Sequence, residues 1–505
     1  MSLLYEWLDS AASVRRRGKF AQSALIYRDT YLSWYGLVHR VDRRARELKT
    51  FGIEAGDWVG LMLGSVPEFM VLALALSKLE AVVVPLDPTI GGRDLDMVLA
   101  AAQLRALITR PNASPPLAAP ANPTTAEPSS SKTRISVENR RRLSGTLLTC
   151  TVFKRLSPKQ PAESVPEVVL FTLDSGGDPK GVIRERRHLE GVSTSVARTL
   201  DVDANSLLCA ATGLHTSQGF DLGLCTALSR HTGLILDDEM VVPRLAKMLA
   251  EQQLDILAAT PAVFAAMTRL PTARPCPSKR TLCVSSGAPL TPSVARVFRR
   301  RFGVPLLSCY QAVETGPVSL DREGEHPDTV GRPFFGVDVR VATSSGAVLP
   351  PGQAGSVWVR SAGVSAHVVP PVKVRRHGDE IPISRCTTDG WLRTGDRGIL
   401  DREGRLTLLG REDAGGQPAL GGRMQDHRRE LAPVVEVAPD QGAAQARAHR
   451  LGEVGRVALG VVGHHLQDLL QVVDRHPLLE QQGPHLLDQA QLHPGLDILD
   501  QGRAL

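Results

Sequence analysis

Aromatic side chains are scarce: Phe, Trp and Tyr together make up 4% of the 505 residues. The basic clusters Arg15-Arg16-Arg17, Arg140-Arg141-Arg142, Arg184-Glu185-Arg186-Arg187 and Arg299-Arg300-Arg301 are thus not interleaved with rings that stack on bases. They read as solvated helix faces, and no nucleic-acid groove is expected. Long apolar runs are also missing. The longest, Phe69 to Leu76, falls far short of the roughly 20 residues a membrane-spanning helix needs. No Cys-x-x-Cys pair occurs among the seven cysteines (Cys150, Cys209, Cys225, Cys276, Cys283, Cys309 and Cys386). Their odd number and mostly apolar settings point to buried reduced thiols and a cytoplasmic protein. The start, Met1-Ser2-Leu3-Leu4-Tyr5-Glu6-Trp7, has no basic segment ahead of an apolar core, so no secretory leader is expected. No internal repeat stands out, and no lysine follows Lys373.

What is present suits a large globular protein. Hydrophobic residues make up 42%, the net charge is +6, and the length exceeds what one core usually fills. From Ala24 to Thr109 short β-type runs alternate with helical stretches: Trp58–Leu63 as a strand, Pro67–Lys78 as a helix, Ala81–Leu86 as the next strand. Such alternation predicts layered α/β structure with a largely parallel sheet. Residues 110–166 are rich in Pro, Ser and Ala without a sustained period and read as a disordered insertion. Strands are expected again at Leu207–Ala211, Leu234–Leu236, Ile256–Ala259 and Thr281–Val284, with helices at Val241–Gln252, Pro261–Arg269 and Pro292–Phe302. Thr260-Pro261 and Thr291-Pro292 match an N-cap followed by proline at the first helical position. The expected organisation is an α/β domain over 1–330, a smaller β-rich subdomain over 331–412, and an atypical region over 413–505. That last region holds seven of the 14 histidines and reads as unligated surface.

One stretch organises the rest. Val168-Val169-Leu170-Phe171-Thr172-Leu173 is an apolar strand that breaks into Asp174-Ser175-Gly176-Gly177-Asp178-Pro179-Lys180-Gly181, and helix-compatible sequence resumes near Arg187. Glycines let backbone N–H groups turn inward around an anion, and a lysine adds a mobile positive charge. The stretch is a phosphate cradle in outline; read alone, it fits an ordinary strand-to-helix turn equally well. The nucleoside-triphosphatase P-loop is excluded, because Lys180 is followed by Gly181 rather than Ser or Thr.

The order Phe171-Thr172…Ser175-Gly176-Gly177-x-Pro179-Lys180-Gly181-Val182, then Tyr310-x-x-x-Glu314, then Gly390-Trp391-Leu392-Arg393-Thr394-Gly395-Asp396, then Gly410-Arg411-x-Asp413 resembles the adenylate-forming superfamily. That family comprises AMP-forming acyl-CoA synthetases, peptide-synthetase adenylation domains and luciferases. The resemblance covers about residues 20 to 413. It implies that Ser175, Gly176, Gly177 and Lys180 hold the β- and γ-phosphates of ATP. Gly287, Ala288 and Pro289 would lie against adenine and Tyr310 would stack on it. Glu314 would ligate Mg²⁺, for which a carboxylate oxygen is a suitable hard ligand. Asp396 would accept hydrogen bonds from both ribose hydroxyls, Arg411 would contact ribose or phosphate, and Asp413 would be the hinge of a mobile lid. His215 resembles the acyl-pocket histidine, although its spacing to Gly219 is one residue longer than usual; a plain surface histidine is the other reading. Glu314, Lys180 and His215 are the implied catalytic residues.

Several positions depart from the family pattern. Leu173-Asp174 stands where Ser-Gly is usual, Val313 where Thr usually precedes the Glu, and the lid sequence after Asp413 is not recognisable. The resemblance implies an acid–thiol ligase nearest the acyl-CoA synthetases or acyl-carrier-protein loaders, using ATP and Mg²⁺ and passing a small carboxylic acid to CoA or a phosphopantetheine carrier. The flank Leu222-Gly223-Leu224 suggests a fatty-acyl pocket wall. The departures also admit a nucleotide-binding pseudoenzyme, and Phe220-Asp221 echoes an amino-acid-activating domain.

Overall fold

The computed structural model describes residues 2–13, 23–28, 30–111, 137–154, 166–173, 179–237, 241–251, 253–271, 274–276, 281–369, 373–376, 379–382 and 386–412. Mixed α/β layers account for nearly all of them. Two large sheets dominate. One has nine strands in the order Arg332–Pro333, Gly316–Leu320, Leu306–Ala312, Leu282–Ser285, Ile256–Ala259, Leu207–Ala210, Gly233–Leu236, Ser23–Tyr27 and Thr30–Ser33. Its six inner strands run parallel and its ends are closed by antiparallel partners. The parallel strands read as near-continuous apolar runs because helices cover both faces.

The second sheet has eight strands: Val368–Val369, Pro179–Arg184, Val168–Leu173, Val82–Pro85, Trp58–Met62, Ala106–Thr109, Thr149–Phe153 and Val137–Arg142. Against its strands Trp58–Met62 and Val82–Pro85 packs the helix Pro67–Lys78, itself covered by the helices Leu3–Ser13 and Trp34–Thr50. Every side chain of Pro67–Lys78 is buried from Phe69 to Ser77. A helix apolar on all sides belongs in a core, and each fully buried large apolar side chain contributes about 1.5–3 kcal/mol. No helix among the described residues is long and apolar enough to cross a membrane.

A third, four-stranded antiparallel sheet is built from Val337–Ala342, Ala354–Ser361, Leu392–Leu400 and Leu406–Arg411. This sheet falls within residues 331–412. That span is stitched into the rest, since Arg332–Pro333 joins the nine-stranded sheet and Val368–Val369 pairs with Gly181 and Val182 of the eight-stranded one.

Three expectations change. Within 110–166, residues 137–142 and 149–153 form two strands that extend the eight-stranded sheet, so the insertion is not structureless there; 112–136 and 155–165 lie outside the described residues. Pro179–Arg184 is a strand, paired antiparallel to Val168–Leu173, where the turn was expected to run on through Gly181; the helix expected near Arg187 is Arg186–Thr199. Thr291 caps its helix, accepting from the Val294 amide at 3.4 Å, whereas the Thr260 side chain makes no capping bond. The structure also adds the helix Leu3–Ser13, whose first amide is held by the Glu167 carboxylate at 2.9 Å.

Candidate active site

The candidate residues gather where the three sheets meet. Lys180 lies on the strand Pro179–Arg184, and its side chain points the same way as those of Val182 and Arg184 because strand side chains alternate. It is buried, and its ammonium donates to the carboxylate of Glu314. Glu314 sits in the tight turn between Leu306–Ala312 and Gly316–Leu320, not at the start of a helix. That turn is held from behind: the Ser365 amide donates to the Glu314 carbonyl at 2.7 Å, and the Arg184 guanidinium donates to the Val313 carbonyl.

Tyr310, four residues before Glu314, ends in a hydroxyl that donates to Asp396 Oδ2 at 2.5 Å. Burial raises the phenol well above its ordinary pKa, and the Asp396 charge adds to that effect. The strand register places Asp396 opposite Arg411, whose guanidinium lies 3.6 Å from Asp396 Oδ1. Gly287, Ala288 and Pro289 are exposed on the turn after Leu282–Ser285, at the carboxyl end of a parallel strand. Crevices at such ends are where open α/β sheets bind ligands. Gly287 has φ +88°, a backbone shape that L side chains rarely adopt.

His215 is mostly buried. Its Nε2 lies 3.8 Å from Asp87 Oδ2, and its Nδ1 has no hydrogen-bond partner. Burial lowers its pKa and the Asp87 charge opposes the shift. The one-residue excess between His215 and Gly219 is followed by a π-helical segment, Gly219–Cys225, within an otherwise α-helical run. An extra residue in a helix is commonly absorbed in this way, often beside a functional site. Phe220, Asp221, Leu222 and Leu224 of this segment are all buried.

Ser175, Gly176, Gly177 and Asp413 lie outside the described residues, as does everything after Glu412. One pairing is not legible in the sequence. Arg184 and Asp221, both fully buried, pair at 3.6 Å behind the Glu314 turn. Asp221 is a lone charge in an apolar run, whereas Arg184 opens the cluster Arg184-Glu185-Arg186-Arg187 expected as a solvated helix face and is instead buried at the end of a strand; burying a charge is costly unless it is paired. Among the described residues no cluster of three or more His, Cys, Asp or Glu could hold a metal by itself. A single carboxylate such as Glu314 suits Mg²⁺, which usually keeps waters and binds through one or two carboxylates plus substrate phosphates.

Comparison with known proteins adds the family. The family model described as "AMP-binding enzyme" matches residues 12–367. A linear gramicidin synthase of Brevibacillus parabrevis is 26% identical over 408 residues, covering 77% of this chain but 5% of that protein. Sulfoacetate–CoA ligase of Cupriavidus necator is 26% identical over 260 residues, 51% of this chain and 49% of the ligase. The chain therefore spans about half or less of the length of these two relatives. Among solved structures, the inhibitor-bound N-terminal domain of FACL13 from Mycobacterium tuberculosis aligns with a TM-score of 0.65 at 20% identity, covering 81% of this chain and 100% of that domain, a likeness of fold.

Proposed function

Because the chain belongs to the family of AMP-binding enzymes, we propose that it joins a carboxylic acid to AMP at the expense of ATP and passes the acyl group to a thiol. A carboxylate oxygen attacks the α-phosphorus in line and pyrophosphate leaves with the β- and γ-phosphates. A thiolate, of CoA or of a phosphopantetheine arm, then attacks the acyl carbon and AMP departs. Most of the rate enhancement in such chemistry comes from positioning and electrostatics.

The observation that carries this reading is the joining of two clusters on one segment: Tyr310 holds Asp396, and four residues later Glu314 holds Lys180. Asp396 accepts from the vicinal ribose hydroxyls, a task suited to a carboxylate with two oxygens side by side. Tyr310 and the Gly287-Ala288-Pro289 turn bracket the base, and Arg411 approaches ribose or phosphate. Lys180 meets the phosphates, joined by Ser175, Gly176 and Gly177. Mg²⁺, when bound, neutralises charge on those phosphates, with Glu314 as its protein ligand. His215 walls the acid site, and Asp413 is the hinge.

The reaction is slow in this chain. The resemblance to adenylate-forming enzymes implies a lysine from the lid aimed at the α-phosphate, and the 505 residues contain no lysine after Lys373. Losing one preorganised donor costs about 2.7–4 kcal/mol, or about 10²- to 10³-fold in rate. The second reading, a nucleotide-binding protein without turnover, rests on the altered loop at Leu173-Asp174 and the unrecognisable sequence after Asp413. Pyrophosphate release with sulfoacetate, aryl acids, medium- and long-chain fatty acids and amino acids tests both. Turnover of about 1 s⁻¹ or more, inside the ordinary enzyme range, overturns the expectation of a slow enzyme. Failure to bind ATP in calorimetry overturns the family reading of the site.

A further inference from the structure

Arg184 is the largest fully buried side chain among the described residues, and it is charged. One of its terminal nitrogens donates to the carbonyl of Gly363 at 2.8 Å, and the other donates to the carbonyl of Val313, the residue before Glu314. The planar guanidinium therefore bridges two chain segments that approach from different sheets. Its counter-charge is Asp221, at 3.6 Å on the π-helical segment, whose two carboxylate oxygens have no hydrogen-bond partner. An ion pair that makes so few direct hydrogen bonds is a poor stabiliser. The desolvation of both ions outweighs much of their attraction, and well-packed apolar side chains in the same space often hold a fold as well or better. A structural role alone leaves this pair unexplained.

The placement supplies another role. Arg184 and Lys180 share one face of one strand, so one strand delivers a cation to the Glu314 side chain and a second cation to the peptide that carries Glu314. Ser365 completes the grip, its amide on the Glu314 carbonyl and its hydroxyl on the Ile183 carbonyl at 2.5 Å. We propose that Arg184, oriented by Asp221, is a positioning residue that fixes the Val313–Glu314 peptide so that the Glu314 carboxylate meets Lys180 and a phosphate-bound divalent cation. Where Val313 offers no side-chain hydroxyl, its backbone carbonyl becomes the handle by which the turn is held. Because Asp221 stands on the helix that follows His215, the same pair ties the acid side of the site to the nucleotide side. The inference rests on the ligase reading for the role of Glu314.

The test separates fold from position. The double variant R184M/D221L replaces the ions by apolar side chains of similar size, and R184K keeps the charge but not the fork that spans two carbonyls. Three quantities are measured on the full chain: the urea midpoint, ATP affinity in EDTA, and the Mg²⁺ concentration giving half-maximal enhancement of ATP binding. The expected result is a urea midpoint near the parent's and unchanged ATP affinity in EDTA. The Mg²⁺ requirement rises about tenfold, the equivalent of one lost charge-assisted hydrogen bond. In an E314Q background the same double substitution shifts nothing further, as coupled residues require. A folded R184M/D221L protein with the parent's Mg²⁺ requirement overturns the proposal. If that variant does not fold, R184K decides in its place, a raised Mg²⁺ requirement supporting the proposal and an unchanged one overturning it. A parent protein whose ATP binding ignores Mg²⁺ removes the ligase reading and this inference together.

Discussion

Acidification should reveal two buried groups that act on stability in opposite directions. His188 occupies the third position of the helix Arg186–Thr199, and its Nδ1 accepts from the Glu185 amide at 3.0 Å, one half of a reciprocal cap. Protonation removes that acceptor. Burial, reinforced by the positive Arg184 and Arg187 and opposed by Glu185, lowers the imidazole from 6.5 to about 4. The folded state thus binds fewer protons than the unfolded chain between those values, so stability is full above pH 6.5 and is lost as pH falls. Between pH 7.5 and 5.0 that loss is about 2 kcal/mol. Asp221 does the reverse. Burial raises it from 3.8 to about 6 despite Arg184, so the folded state binds more protons and stability rises as pH falls through 6, by about 1 kcal/mol at pH 5.0. In the parent the two contributions cancel in part, leaving a net acid loss of about 1 kcal/mol. His188→Gln keeps an oxygen acceptor for the cap and should remove the acid loss, leaving the variant about 2 kcal/mol better off at pH 5.0 than the parent, relative to pH 7.5. Asp221→Asn should remove the opposing gain and steepen the acid loss by about 1 kcal/mol. Urea unfolding at the two pH values reads both. Parallel profiles for the parent and H188Q would refute the reasoning.

Two further outcomes follow from the geometry. Asp396→Ala removes the acceptors assigned to the ribose diol and leaves the Tyr310 hydroxyl and Arg411 without their carboxylate, so AMP affinity should fall at least 100-fold, about 3 kcal/mol for two charge-assisted bonds; unchanged affinity by calorimetry excludes Asp396 from the site. Gly181→Ala places a Cβ 2.8 Å from Phe171 Cζ and 2.9 Å from Val169 Cγ1, and the crowding should cost about 1 kcal/mol or more of stability; a urea midpoint equal to or above the parent's would show that the two strands are not so closely packed.

Where chemistry and periodicity agreed, the chain was readable. Tyr310, Glu314, Asp396 and Lys180 were chosen for their motif order, and the structure brings them into two adjoining clusters. The parallel strands were readable because burial on both faces leaves uninterrupted apolar runs, as at Val82–Pro85 and Leu282–Ser285. The strand Val137–Arg142 was not, since it is an edge strand with mostly exposed, charged side chains and no alternation to detect. Pro179–Arg184 hid behind a proline and a glycine, residues that usually mark a loop. Here the proline begins the strand, and the glycine admits Phe171 and Val169 against the backbone. The Arg184–Asp221 pair was invisible for another reason. Its members are 37 residues apart, counting from 184 to 221, and only the folded chain makes them neighbours.

The hairpin formed by Val168–Leu173 and Pro179–Arg184 aims two cations through one register. The pairing of Thr172 with Lys180 and of Val168 with Arg184 is set by strand register. A slip of one residue would turn both cations away and present Gly181 and Ile183 in their place. In a hairpin the length of the connection takes part in fixing that register, so an insertion or deletion between Leu173 and Pro179 would act on where Lys180 and Arg184 point. Substitutions that keep the length of the connection, Leu173-Asp174 among the departures from the family pattern, leave the facing of Lys180 and Arg184 to the strand register.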